Sequence, residues 1–571
     1  MIPKQSKKIL RYNAKLIVVF VILLLIIITA ILRYNVTMQS KVDWLNQSDW
    51  SHFTGSEEID GGIRIFPTER VINHRDTSTA QPNPPINMRG SYLKTSSDFR
   101  IDFAVSGVDN EATVQFYGQV PVIYDEWRQE RSSIRITATN DEVYVRIWDG
   151  TAVSSIDERK YSLDLDNDAN LSLVHKDDKI FIHANGRSLG TIPDHNIFSE
   201  GKIWFGADAK LDSQGWTLQA LTAKSLDQVP VELVDSLNLN SFIDNPTSLR
   251  NLSEKSARQL PIGAAISIGP LLTDKQYNEI VLGQFNMMTP ENSLKPQFIH
   301  PQKNLYLFND TDTLVEAAQK NKMIVHGHSL VMGKANPEWM QKTPIIDRRQ
   351  VMIDHITAIV GRYKGRVAQW DVVNEPMSED DVDYSPEQNG MRKQMWFDAM
   401  GEEYIDIAFK AARVTDPSAK LFLNDFGLEN DGQRWDAFLN LIKRLQARGV
   451  PVDGVGFESH VYHTPADIIN PTSLKQHIQV LAALGIESRI SEIDVLGDDP
   501  VFQAKQYADV LQVCLSEPSC TSYSIWGITD LYGSTTLSDR YPIMLGDSLL
   551  WDANYSSKPA YKSLQEILKK L

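Results

Sequence analysis

Two glutamates each sit at the end of an apolar run. One is Glu375, in Val367-Ala368-Gln369-Trp370-Asp371-Val372-Val373-Asn374-Glu375-Pro376, and the other is Glu492, in Ser488-Arg489-Ile490-Ser491-Glu492-Ile493-Asp494-Val495. A run of core-type residues seldom leads to a carboxylate unless the position requires one. Two carboxylates carried by different strands to one face can cut an acetal: one protonates the leaving oxygen while the other supplies electron density to the anomeric carbon. The acid must hold its proton near neutral pH while its partner stays ionised, and repulsion together with partial burial drives the two apart. Glu375 is assigned as acid/base and Glu492 as nucleophile. A separation of ~5–5.5 Å between the carboxyl groups would mean retention of anomeric configuration. Two salt-bridged rim glutamates without chemistry are the bland reading.

Positioning them requires a framework of alternating strands and helices, and one begins near residue 246. Apolar strand candidates are Ile262–Ser267, Asn286–Thr289, Met323–His328, Val367–Val373, Lys420–Asn424, Val455–Ser459, Ser488–Ile493 and Ser522–Trp526. Helical periodicity separates them, as in Arg348–Tyr363, Tyr404–Val414, Trp435–Arg448, Pro471–Leu484 and Val501–Leu515. Such a series predicts a parallel eight-stranded β/α barrel over 246–571 rather than an open sheet. Residues just past each strand then share one rim. Here they are polar: Glu291, Asn292, Lys295, His328, Asn374, Glu375, Asn424, Asp425, Glu458, His460, Glu492, Asp494 and Asp530. No dinucleotide, Walker, CxxC or HExxH motif occurs in this region, and neither a metal nor a cofactor is expected. A competing reading puts zinc on His326 and His328, which face the same side of a strand, with His460 and His463 as further ligands.

The rest of the chain sets the context. It has 571 residues and a net charge of −16, so it holds more than one domain and has no electrostatic footprint for nucleic acid. Residues 16–32 are apolar apart from Thr29 and span roughly 26 Å as a helix, which predicts a transmembrane anchor. Lys4, Lys7, Lys8, Arg11 and Lys15 precede it, so residues 1–15 are expected in the cytoplasm and the remainder outside, or secreted if the segment is cleaved. Residues 33–55 read as a polar stalk, 56–228 as an all-β sandwich of short strands with turn signals, and 229–245 as a linker. Trp127, Trp148, Trp204 and Trp216 in the β-rich segment are either a sugar-stacking platform or core fillers. The two cysteines, Cys514 and Cys520, lie on the side where disulfides persist, and a bridge there would contribute about 2 kcal/mol; two free thiols are the alternative.

Several motifs, in order and spacing, resemble glycoside hydrolase family 10, the xylanase family. They are Thr289-Pro290-Glu291-Asn292-Ser293-Leu294-Lys295, Gly327-His328-Ser329-Leu330-Val331, Trp370-Asp371-Val372-Val373-Asn374-Glu375, Asn424-Asp425-Phe426, Ser491-Glu492-Ile493-Asp494 and Trp526-Gly527-Ile528-Thr529-Asp530. The tail from Leu550 to Tyr561 resembles the family's ending, and Cys514–Cys520 looks like a disulfide many members carry. The likeness covers about 246–571 and nothing before it; the β-rich segment looks only vaguely like concanavalin-type jelly rolls.

The resemblance implies a retaining endo-1,4-β-xylanase-like enzyme that cuts internal β-1,4 linkages of xylan-type polysaccharide, with Glu375 as acid/base and Glu492 as nucleophile. It places Asn374 on the 2-hydroxyl of the sugar being cut, His460 on the nucleophile with Asp494 orienting it, Glu291, Asn292, Lys295 and His328 on glycone hydroxyls, and Trp526 beneath the cleaved sugar. The expected partner is a polysaccharide substrate, with no obligate protein partner. Four positions depart from the family pattern: Met332-Gly333 stands for a Trp-His pair, Glu458 for a glutamine, Phe426-Gly427 for an aromatic-asparagine pair, and Ser534 for a tryptophan. These leave open a different β-linked polysaccharide as substrate, or a non-catalytic surface binder.

Overall fold

The computed structural model describes residues 41–47, 56–65, 92–95, 98–118, 132–148, 155–199, 201–209, 213–226, 231–234, 239, 245–304, 306–378, 389–461, 468–497, 499–532 and 547–571. The expected cytoplasmic segment, the apolar span 16–32, Trp127, His463 and Ser534 lie outside them. Among the described residues no helix is long and apolar enough to cross a membrane.

The C-terminal part is a closed parallel barrel. Its strands are β1 (Ile262–Ile266), β2 (Met287–Pro290), β3 (Ile324–Gly327), β4 (Gln369–Asn374), β5 (Lys420–Asp425), β6 (Gly454–Phe457), β7 (Glu487–Val495) and β8 (Cys520–Ile525). Each pairs in parallel with the next, and β1 pairs with β8 to close the ring. The strands are buried on both faces, because helices cover the outside and side chains fill the inside; this is why they read as continuous apolar runs. Helices such as Ile345–Arg362, Gln433–Ala447 and Pro500–Ser516 form the outer ring. Two begin with a side-chain cap followed by proline, Asn470-Pro471 and Asp499-Pro500, where the missing N–H costs nothing. Cys514 and Cys520 are bridged. The observed β7 runs two residues beyond the strand expected, so Glu492 lies within it rather than at its end.

The N-terminal part consists of two antiparallel sheets sharing one core, distinct from that of the barrel. Alternating burial along Phe99–Ser106 and Glu142–Trp148 is the half-buried strand pattern. Two boundaries differ from the sequence expectation. Lys41–Asp43 is a strand on the edge of one sheet and Trp44–Gln47 a short helix, not stalk. The reason is packing: Val42, Trp44 and Leu45 join the β core. Likewise Glu232–Val234, placed in the linker, pairs with Tyr92–Lys94. Trp204 and Trp216 belong to the shared core, which accounts for them as core fillers rather than a platform. Trp148 is buried outside that core, with the Arg135 guanidinium 4.6 Å over its ring.

Candidate active site

The barrel's C-terminal rim collects the polar residues. Register places Asn374 on β4 beside Asn424 on β5, and the Glu375 N–H donates to the Asn424 carbonyl at 2.8 Å. Glu375 takes the left-handed backbone conformation (φ 49°), sparsely populated for a non-glycine residue and the kind of local strain that recurs at functional sites. Beyond β6, Ser459 is likewise left-handed (φ 60°), held by its N–H and hydroxyl donating to Glu429 Oε1 at 2.7 and 3.0 Å. That turn carries Glu458 and His460 toward β7. His460 then pairs in register with Asp494.

Asn424 is the hub. Its Nδ2 lies within hydrogen-bond distance of three oxygens: Asn374 Oδ1 at 2.7 Å, Glu492 Oε1 at 2.7 Å and Glu458 Oε1 at 3.0 Å. Asn374 Nδ2 in turn lies 3.5 Å from Glu375 Oε1. The two glutamates singled out from the sequence are thus linked by one chain of side-chain contacts, Glu375–Asn374–Asn424–Glu492. Gly456 makes this possible: a Cβ there would lie 1.9 Å from Asn424 Oδ1.

Their surroundings differ. Glu492 is 4% exposed. His328 Nδ1 and His460 Nε2 each stand 3.6 Å from one of its oxygens. Burial pushes the Glu492 carboxyl up, but the two imidazoles outweigh it and hold the group below its ordinary value. His460 Nδ1–H donates to Asp494 Oδ1 at 2.7 Å, fixing the ring. Glu375 is more open, and its Oε2 accepts from Arg392 Nη2 at 2.8 Å.

The remaining residues named from the sequence also gather here. Lys295 Nζ donates to Asn292 Oδ1 at 2.7 Å and lies 5.6 Å over the Trp526 ring. Trp526 meets His328 edge-on at 5.0 Å. Glu291 accepts from the Ser267 hydroxyl. His326 Nδ1 stands 3.1 Å from Gln369 Oε1, and its Nε2 lies 2.8 Å from Asp371 Oδ2, a close but poorly aligned contact. The His328 Nδ1–H donates to the same oxygen at 2.9 Å. Asp371 thus contacts both members of the histidine pair. It is buried, yet the two imidazoles and Arg489 keep it strongly ionised.

Three contributors escaped the sequence reading. Asp371 and Arg489 lie inside the barrel, where strand patterning marks them only as interruptions of an apolar run. Arg392 comes from a loop and reaches Glu375 past Gly333, where a Cβ would meet Arg392 Cδ at 2.9 Å. The departure at Met332-Gly333 is the signal that could have pointed to it.

The family model described as Glycosyl hydrolase family 10 matches residues 248–567. The chain belongs to glycosyl hydrolase family 10. It is a glycoside hydrolase of the endo-1,4-β-xylanase-like kind. It is 33% identical over 340 residues to endo-1,4-beta-xylanase B of Thermotoga neapolitana, an alignment covering 58% of this chain and 94% of that one. Endo-1,4-beta-xylanase A of Phanerodontia chrysosporium is 32% identical over 330 residues, covering 56% and 76%. Among solved structures, xylanase 10B from Thermotoga petrophila RKU-1 in complex with xylobiose superposes with TM-score 0.52 and 35% identity, over 58% of this chain and 99% of that one. Native xylanase 10B from Thermotoga maritima gives 0.51 and 35%, over 57% and 98%.

Proposed function

We propose that this glycoside hydrolase cleaves internal β-1,4 linkages of xylan-type polysaccharide by double displacement: Glu492 attacks the anomeric carbon while Glu375 protonates the leaving glycosidic oxygen, and Glu375 then deprotonates the water that displaces Glu492 from that carbon. The observation that carries the reading is the contact path from Glu375 through Asn374 and Asn424 to Glu492. It holds two carboxyl groups of unlike environment on one rim, one buried between imidazoles and one more open, which is the asymmetry a nucleophile and an acid need. His460, oriented by Asp494, fixes the nucleophile. Asn374 is assigned to the sugar's 2-hydroxyl, Glu291, Asn292, Lys295 and His328 to glycone hydroxyls, and Trp526 to the apolar face of the cleaved sugar. The xylanase names of the relatives support the substrate class.

A second β-linked glycan is the alternative substrate, favoured by Arg392 occupying the space beside Gly333 at the rim. A panel of β-linked polysaccharides tests both. Xylan turned over fastest to short oligomers supports the first reading, and preference for another glycan supports the second. Turnover surviving Glu492→Ala would contradict both.

Residues 16–32 are assigned as an uncleaved anchor with the barrel outside the cell, on their length and flanking lysines. Membrane fractionation with protease protection checks it. The β-rich part is assigned to polysaccharide binding, on an open hollow of about 300 Å³ on its sheet face. There Thr222, Asp102, Ser172 and His183 stand in one cross-strand row.

A further inference from the structure

The departure at Glu458 places a third carboxyl group in the site, and its geometry sets a constraint on protons. Glu458 is 2% exposed and Glu492 4%. Both use the same donors. Asn424 Nδ2 stands 3.0 Å from one and 2.7 Å from the other, and His460 Nε2 stands 3.6 Å from an oxygen of each. One oxygen of each carboxyl and one His460 nitrogen all lie within 4.8 Å of one another. Two buried carboxylates sharing donors at this range cannot both ionise at neutral pH.

The hydrogen count points the same way. Asn424 Nδ2 carries two hydrogens and faces three oxygens, on Asn374, Glu458 and Glu492. A third hydrogen on the Glu458 carboxyl relieves the shortage. Glu492 is the member with a second imidazole, His328, on its side. The titratable groups facing Glu458 are Glu492 on β7, Glu375 after β4, Asp425 at the end of β5 and His460 two residues on. Three of the four are carboxyl groups and favour a neutral Glu458.

We propose that Glu458 is a proton-holding positioning residue: as a neutral acid it completes the hydrogen bonding around Asn424 and leaves Glu492 as the single anion of the pair. Burial and then the Glu492 and Glu375 charges push the Glu458 carboxyl well above its ordinary value, in keeping with this assignment. Its consequence for catalysis rests on the function proposed above; the proton itself does not.

Thermal stability of the full chain against pH reads the proton without reading turnover. A carboxyl whose native affinity for a proton exceeds its unfolded one stabilises below the unfolded value. That contribution is lost as pH rises toward the native value. Replacing it by glutamine removes the loss. The temperature at which the barrel unfolds is therefore expected to rise in Glu458→Gln relative to the unsubstituted chain, by a margin that widens from about pH 5 to about pH 9. Glu458→Ala removes the same titrating group and must show the same trend at whatever absolute stability it has, so poor folding of one variant does not spoil the test. Glu458→Gln, which keeps the shape of a neutral acid, is expected to retain roughly tenfold more kcat/KM than Glu458→Ala, since each 1.4 kcal/mol of lost positioning is tenfold. A margin that stays flat or narrows with rising pH would overturn the assignment, as would equal losses of kcat/KM in both variants.

Discussion

Glu375 and Glu492 are chemically identical side chains, and their surroundings make them different. Glu492 lies between His328 and His460, which favour its anion against the effect of burial. The acid limb of kcat/KM should therefore fall below the ordinary glutamate range. Substituting His460 by alanine removes one of the two imidazoles that lower the Glu492 carboxyl and should move that limb to higher pH; a limb that does not move would show that His460 does not act on the nucleophile's charge. Glu375, with its open side and its contact to Arg392, is suited to meet a leaving group. Glu375→Ala should cut polysaccharide hydrolysis by about 10²–10⁴-fold while sparing aryl glycosides whose leaving group needs little protonation. Equal losses on both substrates would contradict the acid/base role. At this scale the sequence was informative for carboxylates, because a charge at the end of an apolar strand stands out. It was silent on Arg392, which reaches Glu375 from a loop that passes Gly333, and on Asp371 and Arg489, whose partners come from other strands of the barrel.

Each strand delivers its rim residue by register. Asn374 and Asn424 are neighbours because β4 and β5 pair in parallel at those residues, and His460 meets Asp494 for the same reason. All eight strands were legible as apolar runs, since a barrel strand is covered on both faces. Their ends were less so. β7 continues through Val495 because its last residues pair with His460–Val461, a partner no local pattern announces. The tight spot is Gly456 on β6. Gly456→Ala would place a methyl group against Asn424 Oδ1 and 3.2 Å from Ser491 Oγ. Asn424 would have to turn away from Glu492. We expect a stability loss of about 1–3 kcal/mol, as for other overpacked interiors, and a fall in kcat larger than that in folded fraction. Unchanged kcat in the folded variant would show that the Asn424 hub is dispensable.

Among the described residues there are two cores, one in the barrel and one between the antiparallel sheets. The change of texture near residue 246 was readable because period-2 alternation gives way to alternating strand and helix patterns. The outer limits of the β-rich part were not. Val42, Trp44 and Leu45 sit in a polar stretch, and their burial depends on an edge pairing far along the chain, Lys41–Asp43 with Thr222–Lys224. If the row of Thr222, Asp102, Ser172 and His183 holds polysaccharide, the full chain carrying Glu492→Ala should be retained on insoluble xylan, and adding Asp102→Ala should reduce retention. Equal retention would place binding elsewhere.

In a double displacement Glu492 bonds to the sugar before water does. Proton NMR of the first product, recorded before mutarotation, distinguishes this from direct attack by water. A β-anomer appearing first from a β-linked substrate is the predicted result, because two inversions restore the starting configuration. An α-anomer appearing first would mean a single displacement by water and would contradict the assignment of Glu492 as nucleophile.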